Sequence, residues 1–170
     1  WKARWDNNRQ ARRLAEVVEP GDIVVTHSNG AAIAYLAARD HGMNPLGIIN
    51  INPALDRWRT AAVEWVETIH SKGDRWVWLS QWLPGHIWGD QGRVGYRGAN
   101  PNTVNHDASG FSGEMKYEGH GGLFHGSRVN LWSAFIAVRI EERLEDEAYL
   151  RREAASLQAA IDGIYSGEAA

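Results

Sequence analysis

Ser28 is the residue around which chemistry can be organised. It stands in Thr26-His27-Ser28-Asn29-Gly30, after the β-branched run Ile23-Val24-Val25-Thr26 and before the small-residue segment Ala31 to Arg39. A serine hydroxyl is a weak nucleophile until a neighbouring base takes its proton, and histidine is the commonest such base near neutral pH. The chain has seven histidines. Four of them, His86, His106, His120 and His125, share an irregular stretch from Gln81 to Gly126 with Asp90 and Asp107. Histidines and carboxylates in one stretch could also hold zinc, which wants three or four such ligands. There is no H-E-x-x-H, no cysteine and no close histidine pair at helical spacing, so no metal site is expected. Gly119, Gly121, Gly122 and Gly126 do not form a phosphate loop, because no lysine-serine or lysine-threonine pair follows them.

The elements that must position these groups follow from pattern. Residues 6–19 read as an amphipathic helix, with Ala11, Leu14, Ala15 and Val18 recurring at helical spacing and Asp6 as N-cap. Pro20-Gly21-Asp22 stops it, and Ile23 to Thr26 is a buried strand. A helix from Ala31 to Arg39 ends at His41-Gly42, and a second buried strand runs from Leu46 to Asn52. Arg57 to Ser71 reads as a helix, with Ala61, Trp65 and Ile69 four apart on one face. Gly73-Asp74 turns the chain, and Arg75 to Ser80 reads as the third strand. Short strands are expected at Thr103 to Asp107 or at Met115 to Glu118, and helical pattern returns from Ser127. Strands alternating with helices imply βαβ units and a parallel sheet.

Thr26 to Gly30, placed between a buried strand and a helix, resembles the nucleophile elbow, G-x-S-x-G, of the α/β-hydrolase family. Thr26 stands where the family has its first glycine. In such an elbow the serine sits on a strained strand-to-helix turn that lifts its hydroxyl above the sheet, and the helix N-terminus favours developing negative charge. The resemblance spans residues 6–140 and implies Ser28 as nucleophile, with the backbone N–H of Asn29 as one oxyanion donor.

The family's order of nucleophile, acid and histidine then assigns the remaining roles. His120, in Gly119-His120-Gly121-Gly122 before the last helix, is the expected base, with His125 its rival. Asp90, in Trp88-Gly89-Asp90-Gln91-Gly92 after the expected third strand, is the expected acid. Asp107 is the alternative and Asp56 a third candidate. The implied fold is α/β, a mainly parallel sheet with helices on both faces. It is expected to be incomplete at the N-terminus, because the chain before Asp6 has no room for the early strand and loop that carry the family's second oxyanion donor. The expected organisation is one hydrolase-like domain over residues 1–144 and a charged helical extension over 145–170.

The expected activity is cleavage of an ester or related acyl bond through an acyl-enzyme on Ser28, without a cofactor. Two rivals stand beside it: a non-catalytic hydrolase-like binding or structural protein, and a metal-dependent hydrolase using the histidine-rich loops. Composition narrows the partners. The net charge of -3, with no basic stripe, disfavours nucleic acid and leaves a small-molecule ester or acyl substrate. The absence of cysteine excludes thiol catalysis and disulfides, and fits a reducing compartment. No membrane-spanning run or leader is visible, which points to the cytoplasm. Nine tryptophans, Trp78, Trp82 and Trp88 among them, can pack a core or line an apolar pocket near the third strand.

Overall fold

A computed structural model describes residues 2–80 and 88–167. The chain divides into two compact units, residues 1–129 and 130–170. The first is built in the order α1 (Lys2–Val17), β1 (Ile23–His27), α2 (Asn29–His41), β2 (Gly47–Ile51), β3 (Trp65–His70), α3 (Arg75–Ser80), α4 (Gln91–Val94) and β4 (Thr103–Asp107). Single 3-10 turns follow at Ala108–Gly110, Gly113–Met115 and Gly122–Phe124. A long helix, α5 (Arg128–Gly167), completes the chain and runs unbroken through the expected 144/145 boundary.

The four strands form one sheet in the order β1-β2-β3-β4, with every pair parallel. The class is therefore α/β. The register sets Val24 beside Ile48 and Ile48 beside Val66, which makes an apolar row on one face. Ala11 of α1 and Ala34 and Ala37 of α2 pack on that row with Met43, Ala61 and Val63. Alanine at these contacts lets the two helices approach closely, which accounts for the small-residue composition of α2. The helix ends as its sequence suggests: Gly42 adopts φ 72 and its N–H bonds the carbonyl of Ala37. Asp6 lies inside α1 rather than at its cap, because the helix already begins at Lys2.

Two expected elements exchange identity. Within the expected helix Arg57 to Ser71, residues Trp65–His70 are instead strand β3. All six are buried, and the strand is central in the sheet, with β2 and β4 on either side. A strand covered on both faces loses the alternation that marks a half-exposed one, and Ala61, Trp65 and Ile69 then mimic a helical stripe. Conversely, Arg75–Ser80 is helix α3, not the third strand. Its Trp-Val-Trp alternation suggests a strand, but the Asp74 carboxylate accepts the backbone N–H of Val77 at 3.1 Å and so caps a helical turn. Of the two short candidates, Thr103–Asp107 is strand β4, whereas Met115 to Glu118 lies in a 3-10 turn and irregular chain.

In the unit formed by residues 130–170, the described residues all belong to α5. Trp132 and Phe135 meet edge to face with ring centroids 5.2 Å apart. Arg139–Glu142 and Glu147–Arg151 pair at helical spacing along it. Among the described residues no helix is long and apolar enough to cross a membrane.

Candidate active site

Ser28 follows β1 directly and precedes the first residue of α2. Its backbone stands at φ 55, ψ -121, a region that costs a non-glycine residue about 1–3 kcal/mol. Three backbone bonds hold it there. Its N–H donates to the carbonyl of Ile51 at 3.0 Å, and its own carbonyl accepts from Ala31 at 3.2 Å and Ala54 at 3.0 Å. Thr26, in the place of a glycine, is explained by its surroundings. It is buried, and its hydroxyl donates to Asn50 of the neighbouring strand at 2.6 Å. Gly30 lies against it: a Cβ added there would meet the Cβ of Thr26 at 3.5 Å, an ordinary van der Waals contact.

The Ser28 hydroxyl lies 2.7 Å from His120 Nε2. His120 Nδ1 lies 2.8 Å from Asp74 Oδ2. The three side chains form one hydrogen-bonded chain across 92 and 46 residues of sequence. Asp74 is fully buried and the His120 side chain is 22% exposed. With its proton on Nδ1, which donates a hydrogen bond to the Asp74 carboxylate, the imidazole presents Nε2 as an acceptor for the serine proton. Asp74 uses its second oxygen on Val77 of α3, so the start of that helix fixes the carboxylate facing the histidine.

Asp90 is not the partner of His120. It is buried against Arg57, whose Nε donates to it at 2.9 Å and whose Nη2 makes a second contact. That pair ties the start of α4 to the loop after β2, where Gly89 is packed so closely on Asp56 that a Cβ would lie 2.2 Å from its Cα. Asp107 accepts from Ser109 and pairs with Lys72 at 3.0 Å. Asp56 is exposed and accepts the N–H of Trp58. His125 is exposed, and His106 is bonded to Glu67 at 2.8 Å. Trp82 and His86 lie outside the described residues, as does the side chain of Trp78. Among the described residues no group of three histidines and carboxylates is placed to hold a metal ion.

Asn29 contributes through its side chain as well as its position. Its amide exchanges two hydrogen bonds of 2.9 Å with Asn7 of α1, and its Oδ1 also accepts from Trp88 Nε1 at 2.7 Å. Beside it opens a cavity of about 190 Å³ lined by Ser28, Asn29, Ala54, Trp76, Val77, Trp88 and His120. Among the described residues of that lining His120 is the one titratable side chain, and these walls suit an uncharged group.

Two histidines are held neutral by their surroundings. Burial pushes His27 below its ordinary value of 6.5, against the opposing pull of its hydrogen bond to the His120 carbonyl. Burial likewise pushes His70 below 6.5, against the attraction of Asp107. At these two positions the folded chain binds fewer protons than the unfolded chain once the pH drops toward about 6.5. The expected result is a melting temperature that is highest above that pH and falls as the medium is acidified through the histidine range. Thermal melts followed by circular dichroism across this range check it, and a His70→Asn variant should show a shallower fall. An unchanged melting temperature down to about pH 5 would contradict it.

Searches against protein-family models, curated proteins and solved structures return no match.

Proposed function

We propose that this chain is a serine hydrolase of the α/β-hydrolase type that cleaves an ester or related acyl bond of a small molecule. The observation that carries the reading is the continuous chain from Ser28 Oγ through His120 to the buried Asp74. A strained serine at a strand-to-helix turn, with a histidine on its hydroxyl and a carboxylate behind the histidine, supports acyl transfer. The parallel sheet beneath it supports the family resemblance.

The chemistry runs in two halves. His120 Nε2 takes the Ser28 proton as Oγ bonds to the carbonyl carbon, and the C=O electron pair moves onto oxygen. The backbone N–H of Asn29, at the start of α2, donates to that oxyanion. The intermediate collapses, the C–O bond to the leaving group breaks, and His120 returns the proton to the departing alkoxide. Water then repeats the sequence on the acyl-enzyme, with His120 again as base, and releases the acid. Asp74 holds the imidazole in the required tautomer and stabilises its charged form. The cavity bounded by Ala54, Trp76, Val77 and Trp88 supports an uncharged acyl group.

The test is a fluorophosphonate probe, with the adduct located by mass spectrometry. The expected adduct is on Ser28 and is lost in His120→Ala. A folded wild-type chain that takes no adduct would overturn the reading in favour of a non-catalytic binding protein.

A further inference from the structure

We propose that His27 and Asn52 are positioning residues that together pin the main-chain carbonyl of His120 and so set the imidazole between Ser28 and Asp74. The proposal rests on the hydrolase reading above. His27 Nε2 lies 3.1 Å from the His120 carbonyl oxygen, and Asn52 Nδ2 donates to the same oxygen at 2.7 Å. Two side-chain donors thus converge on one backbone acceptor, from the ends of the adjacent strands β1 and β2. Asn52 Nδ2 also reaches the carbonyl of Gly119 at 3.3 Å.

The loop needs such an anchor. His120 is flanked by Gly119, at φ 90, and by Gly121 and Gly122, and its only regular structure is a single 3-10 turn. Glycines give a chain freedom, so they cannot hold a ring in place by themselves. The imidazole must nevertheless meet two fixed partners, at 2.7 and 2.8 Å. Asn52 is built for the task. It is completely buried and adopts φ 42, a left-handed conformation that asparagine tolerates better than most residues. Its amide orientation is set by Tyr117, whose hydroxyl donates to Asn52 Oδ1 at 3.0 Å, which leaves the NH₂ group facing the loop carbonyls. Burial pushes the Tyr117 phenol up, so it stays a neutral donor. Ser71 Oγ donates to the Tyr117 carbonyl at 3.1 Å and ties the same loop to the end of β3.

His27 adds packing to its hydrogen bond. Its ring lies 4.9 Å from the His120 ring and meets Phe124 edge to face, also at 4.9 Å. To donate to a carbonyl it must carry its proton on Nε2. Neither residue lines the cavity beside Ser28, so neither is placed to touch an acyl group there.

The test compares His27→Phe, which keeps a ring without a donor, and Asn52→Gly, which keeps the backbone conformation without a donor. With an activated aryl acetate as substrate, each should lower kcat about tenfold and leave KM within about twofold, because a small displacement of the base weakens proton transfer and not binding. The double variant should lose less than the product of the two, since both act on one acceptor. His27→Gln, which restores a donor, should recover part of kcat. Unchanged kcat in the folded variants, or a rise in KM alone, would overturn the anchoring role. If Asn52→Gly does not fold, His27→Phe decides. The downfield proton resonance of His120 Nδ1 reads the loop geometry without turnover. If it stays unshifted and sharp in His27→Phe, the anchor is overturned whatever the activity. Failure of wild-type Ser28 to label overturns the hydrolase reading instead.

Discussion

Replacing Ser28 by alanine should lower kcat/KM toward an activated ester by at least about ten-thousandfold, because it removes the hydroxyl that forms the acyl-enzyme. His120→Ala should fall to a similar residual rate. Members of a hydrogen-bonded relay act as a unit, so the double variant should be barely slower than either single one. The Ser28 hydroxyl is held 2.7 Å from His120 Nε2, and either change removes the transfer between them. His125→Ala should leave the rate within about twofold, since His125 is exposed and lies outside this relay. Steady-state kinetics on the purified variants check all of these. Substantial turnover by Ser28→Ala would end the proposed mechanism, and a fatal His125→Ala would move the base.

The second large effect concerns the acid. Asp74→Asn should lower kcat by about ten-thousandfold while the chain stays folded. The substitution keeps an oxygen for the N–H of Val77, so the start of α3 survives. What changes is the group facing His120 Nδ1. An amide NH₂ there favours the opposite tautomer, which puts the proton on Nε2 and leaves no acceptor for Ser28. Asp90→Asn should behave differently. It breaks the pair with Arg57, which is 40% exposed at its side chain, and should lower stability by about 1–2 kcal/mol with kcat little changed. Denaturant melts and kinetics on the two variants separate them. If Asp90→Asn were inactive and Asp74→Asn active, the acid would have to be reassigned.

That pair of substitutions also marks how far the sequence could be read. Ser28 and its surroundings are legible because they are contiguous. A β-branched strand, a polar turn and a small-residue helix follow one another within Ile23 to His41, and local patterning is enough to place them. His120 is legible for a similar reason, as a histidine among glycines ahead of a long helical pattern. Which carboxylate meets the histidine is not legible, because the strand before it is not. With the third strand put at Arg75 to Ser80, the carboxylate following it is Asp90. With that strand at Trp65–His70, the carboxylate following it is Asp74, in a Gly73-Asp74 pair that local pattern reads only as a turn.

The sequence by itself determined the α/β class, the strained serine between strand and helix, and the glycine-flanked histidine, because each depends on neighbours along the chain. Only the tertiary structure decided which carboxylate serves the histidine, and which side chains hold its loop. β3 shows no alternation to read because it is buried on both faces, and a helix stripe and a covered strand then look alike. Asn52 and His27 reach the His120 carbonyl from 68 and 93 residues away, and they meet it only because β1 and β2 lie side by side in the sheet. Contacts of that span follow from strand pairing, which no local pattern in this chain specifies.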